Sequence, residues 1–220
     1  MNQDDMKRAV AQAALKEIVP GAILGVGTGS TVNHLIDLLA DRVGDIPGAV
    51  SSSEASTRRL QAIGIPVLDL NDVDSIPVYI DGADEVTPEG FMTKGGGGAL
   101  TREKIVASAS DRFVCIVDGS KLVDQLGRFP IPIEVIPMAR EHVSRQLTAL
   151  GGQPKLREDV VTDNHNCIID VSGMTIPDPL SLEREVNQIA GVVTVGVFAS
   201  VKACSVLVGR ENGVEMLRIP

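Results

Sequence analysis

Acids, lysines and glycines are concentrated in residues 81–104, which read DGADEVTPEGFMTKGGGGALTREK. Lys94 precedes four consecutive glycines, and Glu103 follows them at the predicted start of a helix. Glycine lets a ligand approach the peptide groups closely, so an ordered glycine run beside a lysine predicts a cradle for an anion. A glutamate in a first helical turn is also favoured by the helix dipole alone, but its place after the cradle makes Glu103 a candidate general base.

Two further carboxylates, those of Asp81 and Asp84, flank Gly82 where the apolar run IPVYI ends. Two carboxylates close together do not ionise equally readily, so one of the pair can donate a proton during a reaction. The same spacing also suits a turn in which an aspartate caps its own backbone, and the sequence leaves both interpretations open.

A second glycine-rich segment, GVGTGSTV (residues 25–32), follows the first predicted strand. Its glycines leave the backbone bare, and a helix is predicted to begin near Ser30 and Thr31, which is the arrangement of an anion site. The segment lacks the lysine of a P-loop, and Ser30 replaces the last glycine of the dinucleotide pattern GxGxxG. It therefore predicts capture of a phosphate or carboxylate group, with a simple strand-to-helix turn as the alternative.

The remaining polar residues give weaker signals. Lys121, in VDGSKLV after another predicted strand, is a candidate for holding an anionic substrate, although a lone loop lysine is more often simply solvated. Helix capping explains the serines of SSSEAS (51–56). The three histidines have no nucleophile beside them, and the three cysteines lack the spacing of a zinc site, so no metal site is predicted.

Strands and helices alternate along the first part of the chain, which predicts an α/β fold with a parallel sheet between helices. The polar segments fall at the carboxyl ends of those strands, where ligands of such sheets bind. From Phe129 the predicted order becomes β-α-β-β-α-β, with a short strand near residues 153–157 and one strand in VVTVGVF. We therefore expect one domain of residues 1–128 and 200–220, in which KACSVLVGRENGVEML supplies the last strand, and a small α+β domain of residues 129–199.

The composition excludes several classes of protein. With a net charge of -9 and 2% aromatic residues, the chain has neither the basic face nor the stacking platforms of a nucleic-acid binder. It has no run of about 18 apolar residues that would span a membrane, and its N-terminus resembles no signal or transit peptide. Scattered cysteines in apolar runs predict reduced, buried thiols, and the expected location is the cytoplasm.

Four segments, GVGTGST, SSSEAS, DGADEV and KGGGGALTREK, occur in an order and at intervals that resemble the type A ribose-5-phosphate isomerase family. The resemblance covers nearly the whole chain. It implies a Rossmann-like parallel-sheet domain carrying a smaller ferredoxin-like α+β domain. It also implies an isomerase that interconverts D-ribose 5-phosphate and D-ribulose 5-phosphate in the non-oxidative pentose phosphate pathway, as a homodimer without metal or organic cofactor.

The resemblance further implies that Glu103 is the base, and the chemistry of an aldose–ketose isomerase agrees. Such an enzyme needs one carboxylate to move a proton between neighbouring carbons and donors near the oxygen that becomes negative. Asp81 with Lys94 is expected to shuttle protons on the sugar oxygens. Contacts with the substrate are implied for a set of residues in the four polar segments: Thr28, Gly29, Ser30, Thr31, Asp81, Gly82, Ala83, Asp84, Lys94, Gly95, Gly96, Gly97 and Lys121.

Two other functions are compatible with part of the pattern. A CoA transferase also uses a loop glutamate on an α/β fold, but as a nucleophile that forms a thioester, which hydroxylamine would trap. A non-catalytic sugar-phosphate sensor would need an output module, and the chain has no helix-turn-helix pattern or basic region.

Overall fold

The computed structural model describes residues 1–219, and its chain forms two compact units. The first unit contains Met1–Gly82, Arg102–Leu122 and the chain from Ala203 onwards, and the second contains Ala83–Thr101 and Val123–Lys202. The predicted domain limits, 1–128 with 200–220 and 129–199, stay a prediction, because compact units need not coincide with domains that fold alone.

Within residues 1–219, the regular elements alternate as the sequence predicts. The helices are α1 (Gln3–Ala14), α2 (Ser30–Leu39), α3 (Glu54–Ala62), α4 (Leu100–Ser108), α5 (Arg140–Ala149) and α6 (Pro179–Asn187). The strands are β1 (Leu24–Val26), β2 (Ala49–Ser51), β3 (Val78–Asp81), β4 (Glu85–Val86), β5 (Met92–Thr93), β6 (Phe113–Asp118), β7 (Ile131–Val135), β8 (Gln153–Leu156), β9 (Cys167–Ser172), β10 (Val192–Val195), β11 (Val197–Phe198), β12 (Ser205–Arg210) and β13 (Gly213–Arg218).

The first unit is built on a sheet with strand order β13-β12-β6-β3-β1-β2. Neighbouring strands from β2 to β12 are parallel, and only β13 at the edge pairs antiparallel. Val26 is paired with Ile80 in register, so the segments after β1 and β3 leave the sheet side by side. The predicted Rossmann-like parallel sheet is confirmed, and its register sets the glycine loop beside Asp81.

The core of the first unit explains why its helices form where they do. In α2, Val32, Leu35, Ile36 and Leu39 recur at helical spacing and are fully buried against the sheet. Full burial of a leucine or isoleucine side chain stabilises a fold by about 1.5–3 kcal/mol, so this apolar face holds the start of α2 firmly in place.

The second unit contains an antiparallel sheet with strand order β10-β7-β9-β8. With α5 and α6, the chain order is β-α-β-β-α-β, so the predicted ferredoxin-like arrangement is confirmed. The weak strand predicted near residues 153–157 is β8. A separate small sheet, β11-β5-β4, carries Lys94 directly after β5 and was not predicted.

Two strand predictions were wrong. VVTVGVF forms two strands in different sheets, because Gly196 interrupts the first pairing: its N–H donates to Pro132 O over 2.7 Å and its carbonyl accepts from Lys94 N over 2.8 Å. The segment KACSVLVGRENGVEML contributes to a hairpin of β12 and β13 instead of one last strand. The chain reverses there before Gly213, whose φ of +133° suits glycine.

No helix among the described residues is both long and apolar enough to cross a membrane.

Candidate active site

The loop after β1 places bare backbone beside a carboxylate. Gly29, with φ +114°, is the N-cap of α2, a conformation that side chains other than glycine rarely adopt. Gly27 has a different reason to be glycine, since a Cβ there would overlap the carboxyl group of Asp81. The two glycines therefore serve the close approach of the loop to Asp81 and the exposed start of α2.

Asp81 ends β3 and is fully buried, with donors on both of its carboxylate oxygens. Oδ1 accepts from the backbone N–H groups of Thr28, over 2.9 Å, and Gly82, over 2.7 Å. Oδ2 accepts from the Tyr79 hydroxyl over 2.5 Å. Three donors hold this carboxylate in one orientation at the carboxyl end of the sheet, which is where the sequence predicts it.

Tyr79 is the residue of this cluster that sequence reasoning missed. Burial, followed by the negative charges of Asp81 and Glu103, raises the pKa of Tyr79 well above its ordinary value. The Ser52 side chain also hydrogen-bonds to Tyr79 and opposes this effect. Tyr79 therefore stays a neutral hydrogen-bond donor to Asp81. One signal was available: residues two apart in a strand share a face, so Tyr79 and Asp81 had to lie together.

The ionisation of Tyr79 can be measured directly because it is the only tyrosine and the chain has no tryptophan. We expect near-ultraviolet titration of the folded protein to show no tyrosinate at pH about 10, where an ordinary tyrosine is half ionised. Since the raised pKa keeps the proton on the folded form, stability is retained below this pH and falls as the pH rises further. In denaturant the titration should become ordinary, and an ordinary titration of the folded protein would contradict the assignment.

A group of hydroxyls surrounds the Thr28 side chain. Its Oγ1 donates to Ser53 Oγ over 2.6 Å and lies 3.1 Å from Ser52 Oγ. Ser53 is the N-cap of α3, as predicted for this serine segment, and Ser56 Oγ donates to Gly27 O over 2.7 Å. Capping alone was therefore an incomplete explanation, because the same serines also fix the glycine loop.

Glu103 lies in the first turn of α4 and is 4% exposed. Its charge acts on the buried hydroxyl of Tyr79, as the charge of Asp81 does. The structure thus brings two acids of the first unit, Asp81 and Glu103, close to one neutral phenol. A buried glutamate in such surroundings has the features of a proton-transfer group rather than of a solvated helix start.

Two lysines of the first unit lie at other positions around the sheet. Lys121 ends a 3-10 turn (Gly119–Lys121) after β6, and its charge acts on Asp118, the N-cap of that turn. Burial opposes ionisation of Asp118, but hydrogen bonds from Ser120 and Gln3 and the charge of Lys121 lower its pKa overall. Lys7, which sequence reasoning missed, donates to Ser30 Oγ over 3.0 Å and brings a cation to the start of α2.

In the second unit, the predicted glycine run follows the buried Lys94. The Lys94 side chain is 2% exposed, and its Nζ lies 5.6 Å from the centroid of the Phe198 ring. Gly96 N donates to Asp84 Oδ2 over 2.7 Å. Gly95 has φ +104°, and Gly96 and Gly97 are exposed. The run is thus a hydrogen-bonded turn in which two consecutive glycines, Gly96 and Gly97, are exposed.

The predicted residues divide between the two units. Those of the first unit are Thr28, Gly29, Ser30, Thr31, Asp81, Gly82, Glu103 and Lys121, and those of the second are Ala83, Asp84, Lys94, Gly95, Gly96 and Gly97. Among residues 1–219, no group of three or more His, Cys, Asp or Glu side chains is arranged to hold a metal ion.

Several known proteins that resemble this chain are isomerases of one family. The family described as Ribose 5-phosphate isomerase A (phosphoriboisomerase A) matches residues 48–213. The ribose 5 phosphate isomerase A of Neisseria gonorrhoeae is 46% identical, with a TM-score of 0.98 over 100% of this chain and 98% of that one. The enzyme of Methanocaldococcus jannaschii is 41% identical, with a TM-score of 0.93 over 98% and 99%.

A third similar structure is a D-ribose-5-phosphate isomerase in complex with phospho-erythronic acid. It is 41% identical, with a TM-score of 0.95 over 99% of this chain and 100% of that one. The chain described here belongs to the ribose 5-phosphate isomerase A family, and it is an enzyme that isomerises D-ribose 5-phosphate.

Proposed function

We propose that this isomerase interconverts D-ribose 5-phosphate and D-ribulose 5-phosphate through an enediolate, with Glu103 as the base. Glu103 takes the proton from C2 of the aldose and returns it to C1, so that a single carboxylate serves both carbons on one face of the intermediate. The observation that carries this proposal is the burial of Glu103 in the first turn of α4, next to the Tyr79 phenol, which burial and the charges of two acids keep neutral.

We propose that Asp81, with Lys94, moves protons at O1 and O2 of the sugar and assists opening of the furanose ring. The three donors on Asp81 support this role, because they fix its position before any substrate arrives. The burial of Lys94 supports its role too, since a desolvated cation acts strongly on a developing negative charge.

Substrate binding is proposed for loop amides and local cations of both predicted glycine segments and for Lys121. Backbone N–H groups stabilise an enediolate oxygen without reorganising, and the loss of one such donor typically costs ~3–4 kcal/mol. The proposed contacts are Thr28, Gly29, Ser30, Thr31, Asp81, Gly82, Ala83, Asp84, Lys94, Gly95, Gly96, Gly97 and Lys121. The open start of α2, with Lys7 on Ser30, supports capture of an anionic group there.

The reaction is tested by incubating the protein with D-ribose 5-phosphate in heavy water containing EDTA and following the sugar by NMR. We expect ribulose 5-phosphate to form at the same rate with EDTA as without it. Solvent deuterium should enter at C1 of the ketose and at C2 of the aldose. If EDTA abolished the activity and added zinc or magnesium restored it, a mechanism that uses only protein groups would be contradicted. Product formed without any exchange of hydrogen would point to a hydride shift instead of an enediolate.

We further propose that the enzyme acts in the non-oxidative pentose phosphate pathway, in the cytoplasm, and as a homodimer. Cys115, Cys167 and Cys204 lie far apart in apolar runs of the sequence, which supports a reducing compartment. Met138 is 94% exposed and Ile136, two residues before it, is 45% exposed, so this segment offers apolar side chains for association of two copies. Sedimentation analysis measures the assembly, and a monomer at all concentrations would contradict the dimer.

A further inference from the structure

We propose that Arg157 is a positioning residue that sets the orientation of the amides in the glycine run, an inference that rests on the proposed function of that run. Arg157 is 61 and 62 residues distant in sequence from Gly96 and Gly95, and it belongs to none of the motifs described above. All of the residues in this inference lie in the second unit.

The guanidinium of Arg157 uses four of its five N–H donors in this arrangement. Nε and Nη2 donate to the two carboxylate oxygens of Asp170, over 2.8 and 2.6 Å. Nη1 donates to the carbonyl oxygens of both Gly95 and Gly96, over 3.1 Å each. The bidentate pair with Asp170 fixes the plane of the guanidinium, and that plane in turn fixes two consecutive carbonyls.

The peptide between Gly95 and Gly96 is held on both sides. Its carbonyl accepts from Arg157 and also from Gly98 N, over 2.9 Å. Its N–H donates to Asp84 Oδ2 over 2.7 Å. This peptide group can therefore not rotate without losing contacts on both faces.

The orientation of the next peptide, between Gly96 and Gly97, is set by Arg157. The carbonyl and N–H of a trans peptide point in opposite directions, so an Arg157 bond to Gly96 O turns the Gly97 N–H away from the guanidinium. Gly97 is exposed, so its N–H is accessible to a ligand. The Gly97 amide is the donor that this geometry assigns to the negative charge of the reacting sugar.

A glycine run needs such an external support because it has little rigidity of its own. Glycine loses more conformational freedom on ordering than any other residue, so unsupported amides would sample many directions. The positive charge of Arg157 on the two carbonyls also polarises the peptides, which makes the following N–H groups stronger donors. The partly exposed ion pair between Arg157 and Asp170 would by itself stabilise the fold little. We infer that its main effect is to orient the guanidinium toward the two glycine carbonyls.

The test compares Arg157→Ala and Arg157→Lys with a matched control, Arg42→Ala. Arg42 likewise binds a carboxylate, that of Asp45, and one backbone carbonyl, that of Leu15, but in the first unit. Because removal of one preorganised donor costs about 10²–10³ in kcat, we expect displaced amides to lower kcat by roughly 10-fold or more in both Arg157 variants. The kcat of Arg157→Lys should be as low as that of Arg157→Ala, since an ammonium group cannot bind the carboxylate and both carbonyls in the same geometry.

Three readouts separate positioning from mere loss of stability. The affinity for phospho-erythronic acid, whose carboxylate resembles the enediolate, should fall by about the same factor as kcat/KM, while KM changes little. Added guanidinium ion should partly restore the kcat of Arg157→Ala. The thermal unfolding temperature of Arg157→Lys should match that of the parent enzyme. The inference is overturned by a normal kcat in both variants. It is also overturned if KM for the substrate rises by the same factor by which the affinity for phospho-erythronic acid falls. If Glu103→Gln in parallel keeps full activity, the proposed function fails instead.

Discussion

Glu103→Gln is expected to abolish exchange of the C2 hydrogen with solvent while the protein still binds sugar phosphate. Glutamine keeps the shape of the side chain in its buried place at the start of α4 but cannot accept the proton. Loss of a general base typically costs 10²–10⁴ in rate, and we expect kcat to fall by at least about 10³ because no other group serves both carbons. The fall is measured from deuterium exchange and ketose formation, and binding from calorimetry with phospho-erythronic acid.

Glu141→Gln is the matched control for this change. Glu141 also lies in the first turn of a helix, α5, but its side chain is 74% exposed. It tests whether losing a carboxylate at a helix start is damaging in general, through the helix dipole. Both variants should unfold at nearly the same temperature, and only Glu103→Gln should be inactive. Normal turnover by Glu103→Gln would remove Glu103 from the mechanism.

Lys94→Ala is expected to damage both binding and rate, with kcat/KM lower by about 10²–10³. The ammonium is buried and its position is supported by the face of the Phe198 ring, so its charge acts without screening by water. Removal takes away both an attraction for the anionic substrate and a stabilising charge for the enediolate. Steady-state kinetics should therefore show a higher KM together with a lower kcat.

Two further variants separate the charge of Lys94 from its packing. Lys94→Met fills the same space without the ammonium, so it should unfold like the parent enzyme but be as inactive as Lys94→Ala. Lys155→Ala, a change to an exposed lysine in β8 of the same unit, should be active. A small primary amine such as propylamine should partly restore Lys94→Ala. If Lys94→Met retains full activity, the lysine acts through packing alone and the proposed role is wrong.

Much of the fold follows from patterns that act within a few residues. The apolar spacing of α2 predicts a helix from Ser30, and the buried face of that helix appears where the spacing predicts it. The weakly apolar β8 was predicted as a short strand near residues 153–157, which completes a β-α-β-β-α-β order with three other predicted strands and two helices. Local patterns were insufficient at Gly196, where one apolar run changes sheets, since hydrogen bonds from two distant segments decide that break.

The sequence by itself determined which residues are candidates for the chemistry, because acids, a lysine and glycines in short motifs are local information. Tertiary structure alone decided how they are held. Tyr79, Ser52 and Thr28 come together around Asp81 through the parallel register of separate strands. Arg157 reaches the glycine run from about sixty residues away. Contacts of this kind depend on which strands become neighbours, and that choice follows from packing of the whole core rather than from any local pattern.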